Sequence, residues 1–139
     1  MTDRREWRIA GFPPPFSHYT DAVSTNGLLF ISGIVACDRN GNPVAKGDVL
    51  GQARVVFELL GRALEAAELT AADVVKVTVL LVNIEDRVVI NSVRQEFFGE
   101  SRPASTLVEV SALVHPDLLL EVEAIAAMPL SPKANGSGQ

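Results

Sequence analysis

The 139-residue chain has little of what disulfide-bonded proteins and metal centres require. It contains one cysteine, Cys37, and two histidines, His18 and His115. One cysteine cannot form an intrachain disulfide, and with so few soft ligands we expect no metal and no cofactor. No apolar run approaches the ~18 residues that cross a bilayer, and the first residues lack the apolar segment of a secretory signal. We therefore expect a reduced, cytoplasmic protein with no membrane partner.

Positive charge is also scarce. The chain has 12 Lys and Arg against 17 Asp and Glu, which gives a formal net charge of −5. Proteins dedicated to nucleic acids normally present a basic domain or stripe, so nucleic acid is not an expected partner. Aromatic residues make up 6% of the chain and hydrophobic residues 47%. This composition predicts one globular domain over residues 1–130, followed by a disordered polar tail at 131–139.

Apolar periodicity predicts two amphipathic helices. Over residues 50–67, apolar side chains recur every three or four positions and form one stripe. Asp48 is the predicted N-cap of this helix, and Gly51 is expected to weaken its first turn. A second helix is predicted to be capped by Asp86 and to end at Gly99.

Short runs rich in β-branched or apolar residues predict the strands. They lie at residues 7–9, 28–32, 73–82, 105–110 and 118–126. The element order, β-β-α-β-α-β-β, predicts an α+β fold: a mixed sheet with two helices packed on one face, parallel pairing across a helix and hairpins at the ends. The 73–82 strand is apolar on both sides. We therefore expect a partner subunit to cover the face without helices.

Two carboxylates interrupt the last predicted strand, which is otherwise apolar. Because side chains alternate along a strand, Glu121 and Glu123 share one face. Burial among apolar groups raises the pKa of a carboxyl toward a value useful in acid–base catalysis, which is the functional interpretation. The alternative is that the pair forms the solvent-facing side of an amphipathic strand.

Other polar residues have two interpretations as well. His18 and Tyr19 lie in a proline-rich extended segment, either at the rim of a pocket or in an exposed loop. Arg87, Arg94 and Arg102 are interpreted as solvated side chains rather than as a phosphate site. No phosphate-binding loop, dinucleotide fingerprint or nucleophile elbow occurs in the sequence.

Several segments together resemble the Rid/YjgF family of reactive-intermediate deaminases. They are residues 15–23, 29–33, 52–54, 73–79, 90–98, 102–104 and 121–126. Each segment is short, and the resemblance lies in their common order and spacing. It implies a chorismate mutase-like fold, a homotrimer with pockets in the clefts between subunits, and hydrolysis of reactive enamines or imines to a ketone and ammonia.

The resemblance also implies roles for individual residues. In the family, a glutamate on the last strand positions the attacking water, and the matching residue here is Glu121. A serine and an asparagine line the family's pocket, and they correspond to Ser32 and Asn91.

Two positions depart from the family pattern. The arginine that grips the substrate carboxylate, in the motif R-P-A-R-[ST], is replaced by Ser105, and the pocket tyrosine is replaced by Phe16. A serine is short and neutral, so it cannot make the bidentate contact of a guanidinium with a carboxylate. We therefore expect a larger or less acidic substrate than a small 2-imino acid. Arg102 precedes this motif and offers a substitute guanidinium from a different backbone position.

The predicted site combines one catalytic residue, Glu121, with seven substrate-binding residues: Phe16, His18, Ser32, Asn91, Ser105, Thr106 and Leu107. The leading hypothesis is a divergent family member that hydrolyses an enamine or imine of a small-molecule substrate, with Glu121 orienting water. The alternative is a non-catalytic trimer of the same fold that binds a metabolite or has a regulatory role. Ribonuclease activity, described for some relatives, conflicts with the net charge of −5.

Overall fold

Six strands and two α-helices make up the part of the chain that the computed structural model describes, residues 2–129. In chain order they are β1 (Arg5–Trp7), β2 (Ala22–Thr25), β3 (Leu28–Val35), α1 (Val49–Ala66), β4 (Val74–Leu81), α2 (Asp86–Phe98), β5 (Ala104–Glu109) and β6 (Leu120–Ala127), with a 3-10 turn at Ala71–Asp73. The strands form one mixed sheet in the order β1-β2-β3-β6-β4-β5. The predicted α+β architecture is therefore confirmed, while the predicted tail at 131–139 lies outside the described residues.

The two helices begin in different ways. Asp48 caps α1 as predicted, since its Oδ1 accepts a hydrogen bond from the Gly51 N–H at 2.9 Å. Gly51 makes this cap possible, because a Cβ there would lie 2.5 Å from Asp48 Oδ2. The predicted cap of α2 is wrong: Asp86 is already helical, because Glu85 before it has helical backbone angles and occupies the N-cap. Gly99 ends α2 at a φ of 61°, as predicted.

The last two strands do not form the predicted hairpin. β6 lies between β3 and β4 and is antiparallel to both, while β5 occupies the edge, parallel to β4. The reason is burial: Leu120, Val122 and Ala126 make one side of β6 fully apolar and inaccessible, whereas β5 is exposed except at Leu107. Hairpins do form at the amino-terminal end, where β1, β2 and β3 pair antiparallel.

Both helices contribute to one hydrophobic core on a single face of the sheet. α1 packs against β3, β6 and α2, and the rings of Phe57, Phe97 and Phe98 join the helices at centroid distances of 5.0 to 6.0 Å. The opposite side, the open face, carries Phe30, Lys76, Thr78, Leu80, Glu121, Glu123 and Ile125. Phe30 is 40% exposed there, so the uncovered, partly apolar face expected from sequence is present.

Candidate functional site

β3 contains an irregularity that creates space beside β6. Its pairing with β6 shifts register at residues 32–33, which form a bulge. The Ser32 hydroxyl donates to the carbonyl oxygen of Thr20 at 2.7 Å and ties the bulge to the segment before β2. A Cβ on Gly33 would overlap the carboxylate of Glu121. Glycine at this position is therefore what allows the glutamate to lie against β3.

Glu121 lies on the open face, opposite Leu80 of β4. Its side chain is half-buried, whereas that of Glu123 is exposed. Burial, and secondly repulsion from Glu123, raise the pKa of the Glu121 carboxyl above its ordinary value. Within residues 2–129 no hydrogen bond contributes to this pKa, so the carboxylate oxygens are available to water or a ligand.

A groove of about 410 Å³ passes over this carboxylate. We refer to it as the glutamate groove, and its lining is Phe16, Ser17, Tyr19, Ser32, Gly33, Val35, Val114, Glu121 and Glu123. Three predicted site residues meet in it: Phe16, Ser32 and Glu121. The structure thus combines an apolar wall, a hydroxyl and a desolvated carboxylate in one concave surface.

The proline-rich segment forms one wall of the glutamate groove. Tyr19 folds back so that its hydroxyl accepts a hydrogen bond from the Phe16 N–H at 3.1 Å, and its own proton can be donated to a ligand. Tyr19 thereby brings a phenol into the groove beside the position where the family tyrosine is missing. His18 is exposed and does not line the groove, so its role in substrate binding stays a prediction.

A second groove, of about 370 Å³, lies between α2 and β5. We refer to it as the arginine groove, and its lining is Arg87, Val88, Asn91, Arg94 and Leu107. It contains two predicted site residues, Asn91 and Leu107. A third, Ser105, lies at its edge, where the hydroxyl accepts a hydrogen bond from Arg94 Nη2 at 2.8 Å.

The two grooves belong to different faces of the sheet. Residues that pair directly across strands point the same way, and Leu107 pairs with Val79, which is buried beneath the helices. Glu121 pairs with Leu80 on the open face. A single protomer therefore does not bring Glu121 together with Asn91 and Leu107.

Thr106 points away from both Ser105 and Leu107 because side chains alternate along β5. It lies on the open face, where its hydroxyl accepts a hydrogen bond from Lys76 Nζ at 3.2 Å. It lines neither the glutamate groove nor the arginine groove. Its predicted contact with substrate stays a prediction.

The three arginines interpreted as solvated differ from one another. Arg94 is half-buried, and burial lowers the pKa of its guanidinium from the ordinary value, so this side chain is only partly solvated. Arg87 is exposed and forms an ion pair with Glu85 at 3.6 Å. Arg102 is exposed and lies outside the arginine groove. The sequence does not distinguish the three side chains, because the environment of Arg94 includes Ser105 of β5, a separate element.

Other reactive groups are few in the described part of the chain. Cys37 is buried, and this burial raises the pKa of its thiol above the ordinary value. Residues 2–129 contain no cluster of three or more His, Cys, Asp and Glu side chains able to hold a metal ion. Within the same residues, neither helix has the length and apolarity needed to span a membrane.

The protein is a small α+β domain whose mixed sheet has two helices on one face. On the open face, a half-buried glutamate beside the bulge of β3 lies in a concave polar site. The sequence model of the family described as Endoribonuclease L-PSP matches residues 11–128. The chain therefore belongs to that family, and the predicted Rid/YjgF membership is confirmed.

Individual relatives agree with this assignment. A RutC family protein of Pyrococcus horikoshii is 43% identical over 114 residues, which cover 82% of this chain and 90% of that protein. The 3-aminoacrylate deaminase RutC of Acinetobacter baylyi is 36% identical over 116 residues, or 84% and 91% of the two chains. A crystal structure of a Rid family protein from Yersinia pestis matches with a TM-score of 0.84 and 29% identity, over 90% of this chain and 99% of that one.

Proposed function

We propose that this protein hydrolyses an enamine or imine of a small metabolite, in a cleft formed between subunits. The observation that carries the proposal is the Glu121 carboxylate, half-buried over a groove beside Gly33. A relative at 36% identity has the name 3-aminoacrylate deaminase, and 3-aminoacrylate is an enamine. The name supports the reaction class for this chain.

The chemistry needs one proton acceptor near a bound water. An enamine first takes a proton from solvent on carbon and becomes an iminium ion. Water then adds to the carbon of the C=N bond while Glu121 accepts a proton from that water. Protonated Glu121 returns this proton to the nitrogen of the resulting amino alcohol, and the C–N bond breaks as ammonia leaves. The hydroxyl group then releases its proton to solvent and becomes the carbonyl oxygen, which balances the proton taken up on carbon. A carboxylate whose pKa is raised by burial is a stronger base than an ordinary glutamate, which suits this role.

The proposed cleft needs a second copy of the chain, because the two grooves lie on different faces of the sheet. Phe30, Leu80 and Ile125 place apolar surface on the open face, which a lone protomer would leave in contact with water. Packing copies through this face would cover that surface, and we propose that at the edge of the contact the glutamate groove of one protomer meets the arginine groove of its neighbour. We propose the homotrimer that the family resemblance implies.

Assembly is tested by light scattering. A mass of three times 14.9 kDa supports the trimer, and a monomeric mass contradicts it. Ile125→Asp places a charge on the open face and is expected to lower the measured mass. Ala66→Asp, at an exposed position on α1, is the control and should leave the mass unchanged.

Catalysis is tested by ammonia release from a panel of enamines and imines that includes 3-aminoacrylate. Glu121→Gln keeps the size of the side chain but removes the base, so kcat should fall about 100-fold or more. Glu65→Gln, an exposed carboxylate on α1, is the control. Equal rates for wild type and Glu121→Gln would refute the role of Glu121. A ligand that is retained without any change of mass would favour the non-catalytic alternative.

Endoribonuclease activity, which the family's description mentions, has weaker support. Phosphate affinity depends mainly on positive charge, and the chain carries a net charge of −5. Two carboxylates, Glu121 and Glu123, also line the glutamate groove. RNA cleavage that is lost in Glu121→Gln would support this activity instead of imine hydrolysis.

A further inference from the structure

The arginine groove holds a positive charge without an acidic partner. The guanidinium of Arg94 donates to the Ser105 hydroxyl and forms no ion pair with an Asp or Glu of residues 2–129. Arg8, Arg62 and Arg87 each have such a partner. A half-buried guanidinium in this state has lost water without gaining a counter-ion, which favours the binding of an anion.

The fold fixes where this charge points. Arg87, Asn91 and Arg94 follow one another at steps of four and three along α2, so they share the side that faces β5. Leu107 supplies an apolar contact in the same groove. The Ser105 hydroxyl accepts a hydrogen bond from Nη2 of Arg94 and so helps to orient the guanidinium plane. The other N–H groups remain available to a ligand.

We propose that Arg94, positioned by Ser105, binds the carboxylate of the substrate and so replaces the arginine that the family has at position 105. This inference rests on the proposed function, because it assigns the acidic end of the same substrate. It reverses the expectation drawn from Ser105 alone: the substrates are short enamine or imine carboxylates. The serine that removes the family guanidinium is the residue that accepts the hydrogen bond from the new one.

The neighbouring arginines are poorer candidates for this contact. Arg87 is paired with Glu85 and also donates to the Ile84 carbonyl oxygen at 3.2 Å. Arg102 is exposed and lines no part of the groove. A planar guanidinium beside a hydroxyl and an amide matches the two oxygens of a carboxylate. One available cation, without a glycine-rich loop, is a poor match for a phosphate dianion.

Calorimetric titration with ligands that cannot react tests directly whether Arg94 binds a carboxylate. We refer to this proposed role of Arg94 as the anchor. Crotonate is the carboxylate probe, crotonamide its neutral counterpart and inorganic phosphate the competing anion. The wild type should bind crotonate at least about 10-fold more tightly than crotonamide. Arg94→Gln should abolish this difference, while Arg102→Gln, which removes the same charge nearby, should keep it. Equal crotonate affinity in Arg94→Gln and wild type, or tighter binding of phosphate than of crotonate, would overturn the proposal.

Two further variants separate a binding role from a folding role. Arg94→Gln combined with Ser105→Arg returns a guanidinium to position 105, and it should recover most of the crotonate affinity. Ser105→Thr keeps the hydroxyl that positions Arg94 and should bind crotonate like the wild type, whereas Ser105→Ala should bind it several-fold more weakly. Failure of the double variant to recover affinity, with its fold intact by circular dichroism, would count against the anchor.

The anchor and the proposed catalytic role fail in different measurements. Glu121→Gln should keep the crotonate affinity and lose ammonia release. Arg94→Gln should raise KM for a carboxylate enamine much more than it lowers kcat. Normal ammonia release in Glu121→Gln would refute the hydrolytic base alone, and an unchanged KM in Arg94→Gln would refute the anchor alone.

Discussion

The Glu121 carboxylate fills the space that a side chain on residue 33 would occupy. Gly33→Ala should therefore displace the carboxylate or distort the bulge, and lower the free energy of unfolding by about 1–3 kcal/mol. Urea denaturation at fixed protein concentration measures the loss. Combining Gly33→Ala with Glu121→Ala removes the overlapping group, so the double variant should recover most of the stability that Gly33→Ala loses. If the double variant loses as much unfolding free energy as the two single variants together, the overlap with Glu121 is not the source of the strain.

If Glu121 is the base of the proposed reaction, its carboxyl sets the pH dependence. Burial first, and repulsion from Glu123 second, raise the pKa of its carboxyl. A base is inactivated when it is protonated, so kcat/KM should fall as pH drops through this raised pKa. Glu123→Gln removes the repulsion but not the burial. The acidic limb of the kcat/KM profile of this variant should move to lower pH, yet it should stay above the pKa of an ordinary glutamate.

Full pH–rate profiles of the wild type and Glu123→Gln decide this point. Glu65→Gln, an exposed change on α1, should leave the limb in place. If the limb in Glu123→Gln coincides with that of the wild type, a group other than Glu121 controls the rate.

Sequence reasoning found some of these residues and missed others for a physical reason. Glu121 can be identified from the sequence, because the alternation of side chains along one strand shows a carboxylate among apolar neighbours. The sequence places Gly33 only within the matched segment 29–33, since its contact with Glu121, 88 positions later in the chain, depends on the folded sheet. The partial burial of Arg94 is not visible in the sequence, because its environment includes Ser105 of β5, a separate element.

At the scale of elements, the buried amide of Gln52 connects α1 to the loops on either side. Its Nε2 donates to the carbonyl oxygens of Val44 and Asp117 at 3.2 and 2.8 Å. Its Oε1 accepts from the Leu119 N–H at 2.8 Å, directly before β6. Gln52→Ala leaves these groups without partners and should reduce the free energy of unfolding by at least about 2 kcal/mol.

The matched control for this change is Gln95→Ala, the same replacement at an exposed position on α2, and it should alter stability very little. Thermal unfolding of both variants at one concentration makes the comparison. Similar melting temperatures for the two would show that water satisfies the groups that Gln52 contacts.

The elements themselves were predictable where the signal is local. The apolar stripe of α1 and its Asp48 cap lie within 20 consecutive residues, and both are confirmed. The position of β6 at the centre of the sheet was not predictable from its neighbours. Proximity along the chain favoured a hairpin with β5, whereas the fold pairs the more apolar strand with β3 and β4, where both of its edges are hydrogen-bonded.

At the scale of the whole molecule, the sheet separates the two halves of the proposed site. Glu121 lies on the open face, while Arg94 lies with α2 on the other side. If neighbouring protomers form the cleft, each cleft takes its glutamate from one chain and its arginine from the next. This arrangement makes a prediction about mixtures that no single variant makes.

At substrate concentrations below the wild-type KM, Glu121→Gln and Arg94→Gln should each release ammonia slowly from a carboxylate enamine when assembled alone. Unfolding the two together and refolding them at equal concentration produces mixed assemblies, in which about one quarter of the clefts combine an intact Glu121 with an intact Arg94. Ammonia release should then rise well above that of either variant, whereas mixing them without unfolding should give no gain. Refolded mixtures that stay inactive would show that one protomer supplies both groups or that they do not share a cleft.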